Sequence, residues 1–200
     1  SVMDCFHLKA DYDLNIMGKN QTLTDVTSRV LNGLPAVLED AKPDLLLVHG
    51  DTTTTFSAAL SSFYHKVTVG HVEAGLRTYD RYSPFPEEMN RCLTGRLASI
   101  HFAPTQKNAD NLRAEGISAG VYVTGNTVID AFRSTIKKDY SFKSPELSNL
   151  RFDGKRTILM TAHRRENIGA PLEAICAGVR RIVDEFADVQ IVYPVHPNPL

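Results

Sequence analysis

The sequence predicts an α/β protein that passes through one parallel-sheet domain into the start of a second. Three observations predict it. Short apolar, β-rich runs recur along the 200 residues, each separated from the next by about one helix length. Several runs end abruptly in small, polar or acidic residues, and a threonine or asparagine able to cap a helix follows. One stretch, 137–156, breaks this rhythm with lysines, serines, a proline and a glycine before a new apolar run begins.

The elements follow in order. Residue 1 reads as the tail of a helix. The segment 22–40 is an amphipathic helix with Leu23, Val26, Val30, Leu34 and Val37 on one stripe. Strands are expected at 44–49, 67–73, 100–104, 120–125, 157–162 and 189–195. Thr52 or Thr53 can cap a helix over 53–65, Thr105 one over 106–115, and Asn126 or Thr127 one over 128–138. Pro86 stands at a helix start, and Pro171 at the first position of a helix over 171–187. This is the rhythm of a parallel sheet with helices on both faces. The expected division is a first domain over 1–140, a passage over 141–156, and the beginning of a second domain over 157–200. Both ends read as cut, since no strand precedes residue 1 and "YPVHPNPL" stops before a helix.

Composition narrows the partners. There are 22 basic and 23 acidic residues, a formal net charge of −1 without blocks of like charge, so neither nucleic acid nor a membrane surface is suggested. Cys5, Cys92 and Cys176 are odd in number and far apart in apolar, helical surroundings, which argues against a disulfide framework or a CxxC metal site and fits a reducing cytosol. No apolar run approaches the roughly 20 residues needed to span a bilayer, and the first residues lack a signal-peptide pattern. The motifs GxGxxG, GxxxxGK[ST], GxSxG and HExxH are absent, so nicotinamide, P-loop, serine-hydrolase and zinc-protease chemistries lose their usual signatures.

In open parallel sheets, ligands sit beyond the carboxyl ends of the strands. Asp51 lies just past the run "DLLLVH", and Glu73 just past "VTVGHV", 22 residues later, so neighbouring strands would deliver two carboxylates to one rim. Thr52–Thr55 would start the next helix, with amides and hydroxyls facing an anion. Each has a plainer reading: Asp51 as a cap or turn residue, and Glu73 as the partner of a nearby arginine. After Glu73 comes a loop rich in tyrosine and proline, and Glu87 and Glu88 occupy the first turn of the helix begun by Pro86. The helix dipole alone would favour carboxylates there, while a carboxylate near two others can also trade protons. Glu87 is expected to face the rim and Glu88 to be the more exposed of the two. In the second domain, "TAHRREN" places His163, Arg164 and Arg165 between a strand and a helix start, a clamp for diphosphate or carboxylate or else a solvated basic turn. His196 ends the next strand, where a structural histidine is the plainer reading.

Taken together, "VHGDTTTT", "VGHVEAGLRT", "YSPFPEEMNR", "HFAPT", "VTGNTVIDA" and "TAHRREN" closely resemble the bacterial non-hydrolysing UDP-N-acetylglucosamine 2-epimerases, over essentially the whole chain. The resemblance implies two Rossmann-like domains facing a cleft, in the GT-B manner, with the second domain incomplete and nucleotide-binding. It implies a cytosolic homodimer that interconverts UDP-N-acetylglucosamine and UDP-N-acetylmannosamine for cell-envelope polysaccharides, with no metal or other cofactor. On the resemblance, Asp51, Glu73 and Glu87 match the catalytic acids, and His163 and Arg164 contact the nucleotide-sugar. Gln21, Arg164 and His196 match an adjacent regulatory site for UDP-N-acetylglucosamine. The family's "GTRPE" loop and "DSGGxQEE" segment have no counterpart in these residues, so activity is expected of a longer protein. The alternatives are a hydrolysing 2-epimerase, which releases free sugar, a GT-B glycosyltransferase, and an inactive nucleotide-sugar binding fragment.

Overall fold

Apolar runs and capping residues fix most of the architecture in the computed structural model, which describes residues 2–162 and 168–195. The chain divides between Ile136 and Lys137 into two compact units. The first contains, in order, α1 (Val2–Cys5), α2 (Leu23–Ala41), β1 (Leu45–His49), α3 (Thr53–Tyr64), β2 (Thr68–Val72), α4 (Glu87–Leu97), β3 (Ile100–Ala103), α5 (Gln106–Ala114), β4 (Val121–Val123) and α6 (Thr127–Thr135). The strands form one parallel sheet in the order β1-β2-β3-β4. Consecutive parallel strands need a crossover, and α3, α4 and α5 supply it.

Helix starts are set by side chains that satisfy otherwise unpaired amides. Thr22 and Asp25 form a reciprocal capping box on α2, and Thr105 and Asn108 do the same on α5. Thr52 caps α3 and Asn126 caps α6. On α2 the most deeply buried apolar residues are Val30 and Leu38, whereas Leu23 is exposed, so the buried stripe lies nearer the C-terminal half than the sequence pattern suggested. β4 is shorter than expected because Gly120 and Gly125, at φ +66° and +84°, turn the backbone out of extended geometry on either side.

The core gathers around Val48, Ala59 and Val69, with Leu46, Ala58, Leu97 and Ala98 packed against it. The buried face of α3 is made of Ser57, Ala59, Ser61 and Ser62, and such small residues let α2 and α4 pack closely on it. Alternation along β1 sends Leu46 and Val48 into this core and Leu45 and Leu47 to the other face, where they lean over Gly70 and stay exposed.

The second unit contains α7 (Pro145–Ser148), β5 (Arg156–Leu159), α8 (Ala170–Glu185) and β6 (Val189–Val192), with β5 and β6 paired in parallel. α8 begins at Ala170, one residue before Pro171. Bidentate pairing of Arg156 with Asp188 joins the start of β5 to the residue before β6. Cys176 is exposed rather than apolar-packed, and both Cys92 and Cys176 are free thiols. Among the described residues no helix is long and apolar enough to cross a membrane.

Candidate functional site

β1 and β2 are parallel neighbours, with His49 in register with Val72. Asp51 and Glu73, two residues and one residue past these strand ends, therefore share one rim of the sheet. The turn between β1 and α3 is tied to β2 twice. The Gly50 amide donates to the Val72 carbonyl at 3.0 Å, and the Gly50 carbonyl accepts from His71 Nε2 at 2.7 Å. A carbonyl only accepts, so His71 carries its proton on Nε2. His71 is 1% exposed, and its Nδ1 is buried without a partner. Desolvation dominates its protonation and pulls its pKa down to about 4 against the opposing Gly50 bond, so the ring is neutral near pH 7.

Two of the four threonines after Asp51, Thr52 and Thr55, close the turn. Thr52 Oγ1 accepts from the Thr55 amide at 3.2 Å, and the Thr55 hydroxyl donates to the His49 carbonyl at 2.6 Å. The hydroxyls of Thr52 and Thr55 are thus engaged within the strand-to-helix junction, which corrects for these two the expectation that they face an anion.

Asp51 is held from α4. Its Oδ2 accepts from Arg91 Nη2 at 2.5 Å, and its carbonyl accepts from Asn90 Nδ2 at 2.9 Å. Glu73 is held differently, by a neutral amide: Asn126 Nδ2 donates to its Oε1 at 3.2 Å. Its Oε2 lies 3.9 Å from His49 Nε2, which is itself 3.3 Å from the Thr127 hydroxyl. The start of α6 therefore joins β1 and β2 at this rim. Glu73 adopts φ +66°, in the left-handed region that a non-glycine residue enters only at a cost.

The expectation that Glu88 is the more exposed of the two glutamates is reversed. Glu88 is 2% exposed, while Glu87, the first residue of α4, is only half-buried. Glu88 accepts from the amides of Thr78 and Tyr79 at 3.0–3.1 Å and from Arg91 Nη1 at 3.1 Å. The physical reason is tertiary. The Tyr/Pro-rich loop folds back over the start of α4 and needs an acceptor for its amides, and position 88 shares the buried helix face with Arg91 three residues on. The Glu88 carboxylate is therefore occupied by protein donors.

Below the rim, Arg77 is buried and pairs with Glu115 through two nitrogens at 2.6 and 2.8 Å, locking the segment after Glu73 to α5. Arg77 holds the Glu115 carboxyl below its usual range, and burial pushes the Cys92 thiol up.

Gln21 sits immediately before the α2 cap, where its Oε1 accepts from the Gly18 amide at 2.6 Å. His163, Arg164 and His196 lie outside the described residues. Sequence reasoning missed His49, His71, Asn90, Arg91 and, except as a cap, Asn126. His49, His71, Asn90 and Arg91 all stood within the quoted motifs, but nothing in their spacing showed that they would meet Gly50, Asp51 and Glu73.

The comparisons with known proteins show the family to which the chain belongs. The family model described as UDP-N-acetylglucosamine 2-epimerase matches residues 1–200. UDP-N-acetylglucosamine 2-epimerase of Bacillus subtilis is 55% identical over 200 residues, covering all of this chain and 52% of that protein. Among solved structures, S. aureus MnaA with UDP superposes with a TM-score of 0.89 at 50% identity, over 99% of this chain and 52% of that one. The Neisseria meningitidis UDP-GlcNAc 2-epimerase bound to UDP-GlcNAc gives a TM-score of 0.85 at 45% identity, over 99% and 55%. The chain spans about half the length of the curated relatives it matches.

Proposed function

The chain belongs to the UDP-N-acetylglucosamine 2-epimerase family, and on that premise we propose that the whole protein interconverts UDP-N-acetylglucosamine and UDP-N-acetylmannosamine by eliminating and re-adding UDP. A base removes the proton from C2, the C1–O bond breaks, and UDP departs with the bonding electrons to leave a C1–C2 double bond. UDP then returns to C1 while a proton is delivered to the other face of C2. The exchange is redox-neutral, and it needs acid/base groups on both faces.

The observation that carries the reading is the convergence of Asp51 and Glu73 on one rim, with the start of α4, where Glu87 stands, tied to Asp51 by Asn90 and Arg91. We assign the proton chemistry and the stabilisation of the departing UDP to Asp51, Glu73 and Glu87, with His163 and Arg164 contacting the nucleotide-sugar. Family membership also supports a cytosolic homodimer serving cell-envelope polysaccharides, and a regulatory site that uses Gln21, Arg164 and His196. Light scattering and substrate-saturation curves test the last two.

The decisive experiment incubates the full-length protein with UDP-N-acetylglucosamine in deuterated water. UDP-N-acetylmannosamine is expected, with deuterium at C2 of both epimers. Free N-acetylmannosamine without its UDP ester would favour the hydrolysing relative, and protium retained at C2 would remove the elimination route. Asp51→Asn, Glu73→Gln and Glu87→Gln should each lower turnover by a factor on the order of 10²–10⁴ while UDP binding by calorimetry stays nearly unchanged.

A further inference from the structure

We infer that Arg91 is a positioning residue, which fixes the Asp51 carboxylate at the sheet rim and is itself fixed by Glu88; the inference rests on the function proposed above. The Arg91 side chain is 10% exposed, and its two terminal nitrogens are divided between two carboxylates. Nη2 meets Asp51 at 2.5 Å, and Nη1 meets Glu88 at 3.1 Å. Its Nε is buried without a hydrogen-bond partner. The guanidinium is directed at protein acceptors, so it acts on a substrate through Asp51.

The chain of contacts runs further back. Glu88 and Arg91 stand three residues apart on one face of α4, where side chains meet. Glu88 also receives the amides of Thr78 and Tyr79, so the loop that follows Glu73 is bound into the same cluster. Asn90, the residue before Arg91 on α4, holds the Asp51 carbonyl at 2.9 Å. Both the backbone and the side chain of Asp51 are thus set by a helix about 40 residues away in sequence. A planar fork serves two carboxylates at once, whereas a lysine ammonium is a point charge on a flexible stem. The arrangement therefore depends on arginine geometry as well as on charge. Removing the cation would also leave Asp51 and Glu88 without compensation in a partly buried site.

The test uses the full-length protein. Arg91→Lys keeps the charge and should lower kcat by roughly 10²-fold, with KM and UDP affinity changed less than about threefold, because misplacing a reacting group acts on the barrier. The double variant Asp51→Asn with Arg91→Lys should be no slower than Asp51→Asn alone, since residues acting as a unit are not additive. Asn90→Ala removes only the backbone tie and should lower kcat by about tenfold in the same pattern. If Arg91→Lys fails to fold, as judged by its thermal melt, Glu88→Gln loosens the same fork and should lower kcat with KM nearly unchanged, whereas wild-type kcat in it would overturn the inference. Wild-type kcat in Arg91→Lys beside an inactive Asp51→Asn would overturn the positioning role while leaving the proposed function intact, as would multiplicative losses in the double variant. Full turnover in Asp51→Asn would overturn both.

Discussion

His71 Nε2 lies 2.7 Å from the Gly50 carbonyl, so a buried imidazole on β2 clasps the turn that carries Asp51 off β1. Burial in the first place, together with the nearby His101 and Arg77, pulls the His71 pKa from 6.5 to about 4, and the Gly50 bond and Asp51 only partly oppose it. Above pH 6.5 the ring is neutral whether folded or unfolded, and its contribution to stability is complete. As pH falls from 6.5 to 4, the unfolded chain takes up a proton that the folded chain refuses, so stability declines with falling pH and the loss is complete below 4. The expected loss from this group is on the order of 3 kcal/mol. His71→Gln can donate to Gly50 without titrating, so urea unfolding across this range should show a shallower pH slope for the variant. Some slope should persist, because burial also lowers the His101 pKa. An unchanged slope would mean that His71 is not the group responsible.

Glu87 and Glu88 are adjacent and chemically identical, yet they should respond differently to amidation. Glu88→Gln takes a charge from a buried cluster with Arg91 and two loop amides, and should lower unfolding stability by about 2–4 kcal/mol. Glu87→Gln alters a half-buried first-turn carboxylate and should cost less than about 1 kcal/mol. Equal losses in urea melts would contradict the burial difference.

The left-handed φ of Glu73 gives a second stability test. Glu73→Gly and Glu73→Ala both lose the carboxylate and its Asn126 bond, so their difference reports the backbone alone. Glycine should be the more stable of the two by about 1 kcal/mol, the reverse of the order in a helix, because alanine keeps the strain. Both should be inactive in turnover assays of the full-length protein.

Two further glycines should respond in opposite ways to alanine. At Gly75, φ is +87° and an added Cβ would fall 2.2 Å from the Asn108 carbonyl oxygen. Gly75→Ala should therefore cost about 3 kcal/mol or more, since both strain and overlap must be relieved by moving α5. At Gly178 in α8 an added Cβ meets nothing within 4 Å, and Gly178→Ala should stabilise by about 0.5–1 kcal/mol. Thermal melts of the two single variants decide both.

The sequence by itself determined the elements and their order. Every predicted strand was found within a few residues, because each is a short apolar, β-rich run between turn residues. Thr52, Thr105 and Asn126 marked helix starts because the unpaired amides of a helix end need a nearby oxygen, a local requirement. The shared rim of Asp51 and Glu73 was legible for the same reason, since consecutive parallel strands joined by one helix are commonly neighbours.

Tertiary structure alone decided which charged side chains would be buried together. Helical periodicity cannot tell Glu88 from Glu87 until the returning loop places two amides and Arg91 against one of them. It could not pair Arg91 with Asp51 across 40 residues, or His71 with Gly50 across 21, because such contacts arise only when separate elements pack. Nor did composition reveal that Thr55 would turn its hydroxyl inward, where the His49 carbonyl at the end of β1 accepts it. Local hydrogen-bonding demands are written in adjacent residues, whereas the environment of a charge is set by whatever the rest of the chain brings to it.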